Sequence, residues 1–255
     1  MRHGWRSAVL VLCLALFSPA CAGSSDAITS PTPTAIGRGA RVLFIGNSLT
    51  QVNDVPEMVR ALAAAVGLAW HVEAQVSGGA SLQDQWERNL VQATIANGGW
   101  DAVVLQQGPS SLPDSRTNLR HWTGEYDRLI REAGGRTGLY EVWPELARIE
   151  VFDRVRDSYA LAARDVDGWF LPAGEAWRVA WEDDPDLQLY GPDGFHPAVA
   201  GSWAAALTIF GGLSEHSLAD LPAPEGVDAA TAERLREAAA QALERYGDYG
   251  PVDAP

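Results

Sequence analysis

Arg41-Val42-Leu43-Phe44-Ile45-Gly46-Asn47-Ser48-Leu49-Thr50 opens the folded part of this chain and decides its class. The run 42–45 is apolar at every position, as a strand covered on both faces must be. Gly46 ends the run, and Asn47 and Ser48 are polar turn residues. A helical pattern follows in Val55, Val59, Leu62 and Val66, with Asn53 or Asp54 to cap it and Pro56 in its first turn. A buried strand that turns at once into a helix is the opening of a βαβ unit.

The same alternation continues outward. Further strands are predicted over 70–76, 102–106, 137–142 and 169–171, and helices over 82–96, 118–133, 152–163 and 198–209. A last helix, after the Pro-rich connection 221–226, carries Ala232, Leu235, Ala239, Leu243 and Tyr246 on one face. No internal repeat is visible. The expectation is a three-layer α/β/α sandwich around a central, mostly parallel five-stranded sheet. Such sheets hold ligands at the carboxyl ends of their strands. The loops 46–50, 77–81 and 107–111 and the pair Trp143-Pro144 are therefore the places to look for function.

Composition narrows the chemistry. With 255 residues, 47% hydrophobic and 20% charged, the chain suits one catalytic-size domain with a full core. Nineteen basic against 33 acidic residues give a formal charge of -14, which disfavours nucleic acid and anionic lipid as main partners. Cys13 and Cys21 are the only cysteines and both lie in the first apolar stretch, so a disulfide framework and Cys-ligated zinc are excluded from the rest. No metalloprotease, P-loop or dinucleotide signature occurs, and no metal or cofactor is expected. Glu141, Glu145, Asp183 and Asp184 read as a solvated acidic rim; Asp183 and Asp184 with Asp186 fit no EF-hand spacing.

Arg2 and Arg6 precede the apolar run 8–17 and the small residues 18–23, the pattern of a signal peptide over 1–22. Ala20-Cys21-Ala22 fits ordinary cleavage, while Cys21 is also similar to the lipid-modified cysteine of a bacterial lipobox, with Ser18 where a Leu-like residue is usual. A flexible tether over 23–40, a catalytic domain over 41–215 and a C-terminal helix and tail over 216–255 packed on it complete the expected order. The expected location is periplasmic, secreted or lipid-anchored at Cys21 to a bacterial envelope.

Ser48 sits at the end of the first strand, where a hydroxyl is exposed at the edge of the sheet. A serine attacks a carbonyl only when a base takes its proton. Of five histidines, His196 alone lies in a punctuated loop, Tyr190-Gly191-Pro192-Asp193-Gly194-Phe195-His196-Pro197. Asp193, three residues earlier, is placed to hold one imidazole nitrogen while the other faces Ser48. An α/β-hydrolase would need a G-x-S-x-G elbow after several strands, which is absent here.

These blocks resemble those of the SGNH (GDSL-type) hydrolases, whose fold is flavodoxin-like, from about Val42 through the helix after Pro197. Gly46-Asn47-Ser48-Leu49 resembles the first block, with Asn47 where Asp is commoner. Ser77-Gly78-Gly79 resembles the second and Asp193-Gly194-Phe195-His196 the last. The third departs: Gln106-Gln107-Gly108-Pro109-Ser110 stands where Gly-x-Asn-Asp is frequent, and is similar to the Gln-Gly form of carbohydrate acetylesterases. The resemblance implies Ser48 as nucleophile, His196 as base and then acid, and Asp193 as its orienting acid. It also implies an oxyanion hole from the N–H groups of Ser48 and Gly78 with an amide of Gln107, or else the Ser110 hydroxyl.

Ten tryptophans are many for this length, and Trp86, Trp122, Trp143, Trp177 and Trp181 fall where they can rim a site. Indole stacks on sugar rings and equally packs cores; Trp143, at a strand end, is the candidate substrate contact. No apolar lid segment is present. The expected function is an exported serine esterase removing short, acetyl-like groups from carbohydrate through an acyl-enzyme. The alternatives are a lysophospholipase or thioesterase for longer acyl chains, and a non-catalytic glycan-binding protein on the same fold.

Overall fold

The computed structural model describes residues 34–250, together with Met1, His3 and Gly4. The expected signal peptide, Cys21 and residues 23–33 of the expected tether thus lie outside the described residues, apart from those three. The fold lies within residues 34–250.

Five strands, β1 (Arg41–Gly46), β2 (His71–Val76), β3 (Ala102–Leu105), β4 (Arg136–Tyr140) and β5 (Trp169–Leu171), form one all-parallel sheet in the order β2-β1-β3-β4-β5. The three-layer sandwich expected from the sequence is the architecture the chain adopts. β1 and β3 are buried almost throughout, which is why they read as unbroken apolar runs. β2 is an edge strand, with His71, Glu73 and Ala74 exposed, and its charges discourage pairing with another chain.

The chain leaves β1 outward to β2 and returns on the other side to β3. The order of the strands reverses there, which is where open parallel sheets hold their ligands, outside the carboxyl ends of β1 and β3.

The helices are α1 (Ser48–Gln51), α2 (Val55–Ala65), α3 (Leu82–Glu87), α4 (Gln92–Gly98), α5 (Pro113–Glu132), α6 (Phe152–Asp165), α7 (Ala173–Asp183), α8 (Val199–Ser214) and α9 (Ala229–Tyr246). α2, α7, α8 and α9 pack together as one layer and α3, α4, α5 and α6 as another. α8 is buried on nearly every side, so it shows little amphipathic pattern. α9 lays Leu235, Ala238, Ala239 and Ala242 on α7 and α8, small residues that let the helix axes approach.

Three expectations are revised. The helix read over 82–96 is two, because Asn89 takes a left-handed conformation (φ 53°) between α3 and α4. α7 is an addition to the helices expected, although its buried Ala173, Ala176, Trp177 and Ala180 do recur at helical spacing. Residues 36–40, expected in the tether, are bound to the domain where the strands begin. There Ile36 N–H donates to Leu213 O at 2.8 Å, Gly39 N–H to Leu68 O at 2.7 Å and Trp70 Nε1–H to Gly37 O at 2.9 Å.

Glu141 belongs to the interior and not to an acidic rim. It extends the β4–β5 pairing by donating its N–H to Leu171 O at 3.0 Å, and its side chain is fully buried. Oε2 accepts from Glu175 N–H at 3.1 Å, while Oε1 has no partner. Burial holds the carboxyl well above the ordinary glutamate range, and the nearby Glu175 pushes it the same way. Glu175, also buried, has Arg178 at 3.1 Å and Arg156 at 4.0 Å to support a charge. Burial raises the Glu175 carboxyl as well, but the two arginines pull it back, so Glu141 is the one held up further. A carboxyl whose folded pKa is raised stabilises the fold below its unfolded value and loses that contribution as pH rises through the folded one. Unfolding free energy should accordingly fall from pH 5 toward alkaline pH, by up to about 1.4 kcal/mol per pH unit while one proton is at stake. Glu141→Gln should flatten that decline, as read from urea midpoints at several pH values.

Candidate active site

The turn after β1 is built from the polar residues that follow the apolar run. Asn47 ends the strand in an extended conformation and caps α1, its Oδ1 accepting from Leu49 N–H at 3.0 Å. Its Nδ2–H donates to Ala80 O at 3.1 Å, which ties the loop after β2 to the same turn. Beneath lies Gln106, 1% exposed at the end of β3. Gln106 Oε1 accepts from Asn47 N–H at 2.9 Å and from the Thr50 hydroxyl at 2.7 Å. Its Nε2 donates to Asn47 Oδ1 at 3.0 Å and to Gln107 O at 2.5 Å. Gly46 is needed for this approach: a Cβ there would stand 2.3 Å from Thr50 Oγ1 and 2.6 Å from Gln106 Oε1. Ser48 thus stands half-exposed on a fully bonded base.

Asp193 makes the opposing loop. Its Oδ1 accepts from Phe195 N–H at 3.0 Å and His196 N–H at 2.9 Å, a turn that Gly194 permits by taking φ 66°. Its Oδ2 lies 2.6 Å from His196 Nδ1, and His196 Nε2 lies 2.9 Å from Ser48 Oγ. The bond to His196 and those two backbone N–H groups hold the Asp193 carboxyl down to about 2, although it is solvent-exposed. Outer ties fix the loop: Trp143 Nε1–H donates to Phe195 O at 3.0 Å and Leu146 N–H to Gly194 O at 2.8 Å. Asn53 donates Nδ2–H to Pro197 O at 3.0 Å and to Ser202 Oγ at 2.9 Å.

Ser48, from one stretch of sequence, and Asp193 with His196, from another, are therefore in one hydrogen-bonded line. Gly78 lies two residues beyond Val76, the register partner of Gly46, with open space where a side chain would be. Ser48 and Gly78 thus stand at the same edge of the sheet.

Gln107 is buried, with Oε1 accepting from Leu82 N–H at 3.2 Å and Nε2 donating to Ser110 Oγ at 2.9 Å. A carboxamide carries two N–H donors, so one is left. Ser110 is buried and its hydroxyl is spent on Gly108 O at 3.2 Å.

Trp143 does not serve as a substrate contact. It is fully buried and stacks on Trp177 with ring centroids 3.6 Å apart, so its place is beneath the Asp193–His196 loop. Trp86 and Trp122 pack with one another, and Trp86 also with Tyr126. Trp181 alone of the five lies half-buried beside that loop. Asp183 and Asp184 pair with Arg234 at 2.5 and 3.4 Å. Among the described residues no group of three or more His, Cys, Asp or Glu is placed to hold a metal ion.

Gln106 and Asn53, named in the sequence only as part of the third block and as a helix cap, turn out to support the site. Gln106 carried no signal beyond being a polar residue at the end of a buried strand. Asn53 has φ 58° and Asp54 φ 55°, and an Asn-Asp pair before Pro56 is the composition that left-handed positions favour.

No family model and no curated protein matches the chain. Among solved structures, a protein from Slackia heliotrinireducens described as an SGNH hydrolase is similar at 28% identity and TM-score 0.59, over 68% of this chain and 98% of its own. A DUF4886 family protein from Bacteroides uniformis shares the fold at 22% identity and TM-score 0.72, over 84% and 98%. An acetylxylan esterase from Geobacillus stearothermophilus shares it at 19% identity and TM-score 0.53, over 69% and 94%.

Replacing the buried amide tests the base of the site. Gln106→Leu keeps the volume but strands the Asn47 N–H and the Thr50 hydroxyl, each worth about 1–3 kcal/mol when buried without a partner. The unfolding free energy from urea titration should drop by about 2 kcal/mol or more. A drop below about 0.5 kcal/mol, the range of ordinary surface changes, would show that the lock contributes little.

Proposed function

Since this chain is a serine hydrolase of the SGNH superfamily acting on ester bonds, we propose that Ser48 is its nucleophile and that it removes short acyl groups, acetyl foremost, from carbohydrate. The observation that carries this reading is the line Asp193–His196–Ser48 at 2.6 and 2.9 Å. Asp193, ionised at working pH, accepts Nδ1–H and so leaves the lone pair of Nε2 toward Ser48. His196 takes the hydroxyl proton as Oγ attacks the ester carbon. The oxyanion is met by the N–H groups of Ser48 and Gly78 and the remaining Gln107 N–H, and one such donor is typically worth about 2.7–4 kcal/mol. His196 then gives its proton to the departing alcohol, leaving acyl-Ser48. Water, deprotonated by His196, releases the acid and restores the serine.

Similarity to an acetylxylan esterase supports a carbohydrate ester, and the lack of an apolar lid segment supports a short acyl group. A protein that only bound glycan would need no Asp-His pair beside a serine. Arg2, Arg6 and the apolar run 8–17 support export, with Cys21 as the residue for lipid attachment.

The test is turnover of p-nitrophenyl acetate, butyrate and octanoate and of O-acetylated xylo-oligosaccharides. Ser48→Ala and His196→Ala should each lose about 10⁴-fold or more in kcat. A steep rise toward octanoate would replace the acetyl reading with longer acyl chains, and no turnover by folded protein would leave glycan binding.

The pH profile is a second check. With Asp193 ionised down to about pH 2, the acid limb of kcat/KM should follow one proton, that of the imidazole. A limb that steepens to two protons above pH 3 would place the Asp193 proton elsewhere.

A further inference from the structure

A cavity of about 540 Å³ lies against the outer wall of the Asp193–His196 loop, bounded by Gly191, Pro192 and Gly194 on that side. Its other walls are Leu146 and Ile149 from the 3-10 turn Leu146–Val151, and Trp181, Leu187, Gln188 and Tyr190. Leu146 and Ile149 are 52% and 44% exposed, unusual for large apolar side chains in this chain. Trp181 and Tyr190 are half-buried and stacked, with centroids 5.8 Å apart at 25°.

The polar ends of both rings are already satisfied. Trp181 Nε1–H donates to Leu187 O at 2.9 Å and the Tyr190 hydroxyl to Pro144 O at 2.7 Å. What they offer is therefore ring surface, held rigid from below by edge contacts to Trp177, which itself stacks on buried Trp143. Gln188 is exposed and uses only Nε2–H, on Asp186 O at 2.8 Å. Its carbonyl oxygen is available to a hydroxyl donor.

Position decides which half of an ester belongs here. Gly78 follows β2, on one side of β1, so the carbonyl oxygen points that way. The departing alcohol oxygen must take its proton from His196 Nε2, so the alcohol half leaves over the His196 loop. The cavity adjoins that loop on the β4 and β5 side, whose following segments supply Leu146, Ile149 and Trp181.

Resting on the esterase reading above, we propose that this cavity is a subsite for a sugar ring of the alcohol half, stacked on Trp181 and Tyr190 beside the catalytic loop. Ring C–H faces meet the aromatic and aliphatic walls, and a hydroxyl donates to Gln188. It gives the enzyme preference for an acetylated oligosaccharide over a small acetate ester.

The experiment compares kcat/KM for an O-acetylated xylo-oligosaccharide with that for p-nitrophenyl acetate in the full chain, in Ile149→Asp and in Trp181→Phe. Ile149 is exposed, so its variant does not threaten the fold. The ratio of the two values should fall about five- to tenfold in each variant, the size of one lost stacking or apolar contact, chiefly through KM of the oligosaccharide. Val66→Asp, an exposed apolar residue just past α2, should leave the ratio as it is. An unchanged ratio in both cavity variants, with the oligosaccharide still cleaved, would overturn the subsite alone. Loss of octanoate turnover in the variants would also overturn it, by placing an acyl chain in the cavity. Failure of the unaltered protein to cleave any acetylated glycan would overturn the functional reading itself and the subsite with it.

Discussion

The Gln106 carboxamide is the constraint on which the site rests. It lies where two parallel strands end side by side, and it spends its oxygen and one N–H on the turn above and its other N–H on Gln107 O. Strand ends normally leave N–H and C=O groups without partners, and here Asn47, Thr50 and Gln106 are all buried. One side chain from β3 thus finishes the backbone of β1 and fixes where Ser48 stands. Gly46 is the other half of the device, since only an absent Cβ leaves room for the amide.

The two sides of the site are built on different terms. Ser48 stands on groups buried to within a few per cent, whereas Asp193 is half open to solvent and organises its loop through short-range bonds of its own. A charge in that position is cheap to keep because water still reaches it. Distant ties from Trp143, Leu146 and Asn53 supply the stiffness that burial does not.

Much of this was legible in the residues. The run 42–45 followed by Gly46 and Ser48 announced a covered strand and an exposed turn, and Asp193 with His196 announced a loop that orders itself, because local chemistry dictates both. What was not legible depends on partners far away in sequence. Trp143 reads as a surface stacking group, yet Trp177 covers it from α7, a helix far away in sequence. Glu141 reads as solvated, and burial, with Gly174 packed close against its carboxyl, makes it an interior acid held well above the ordinary glutamate range. Gln107 reads as an oxyanion donor, yet the Leu82 N–H and the Ser110 hydroxyl already claim most of its amide.

The hold on residues 36–40 has a mechanical side. The chain is fastened to Leu213 and Leu68 where the strands begin, and the mouth opens where they end, with the six residues of β1 between, roughly 20 Å. Any load applied through the N-terminal segment is therefore taken up at the far end of the sheet, in shear against α8, before it can reach Ser48. A support attached on that side leaves the mouth unobstructed and its geometry unstressed.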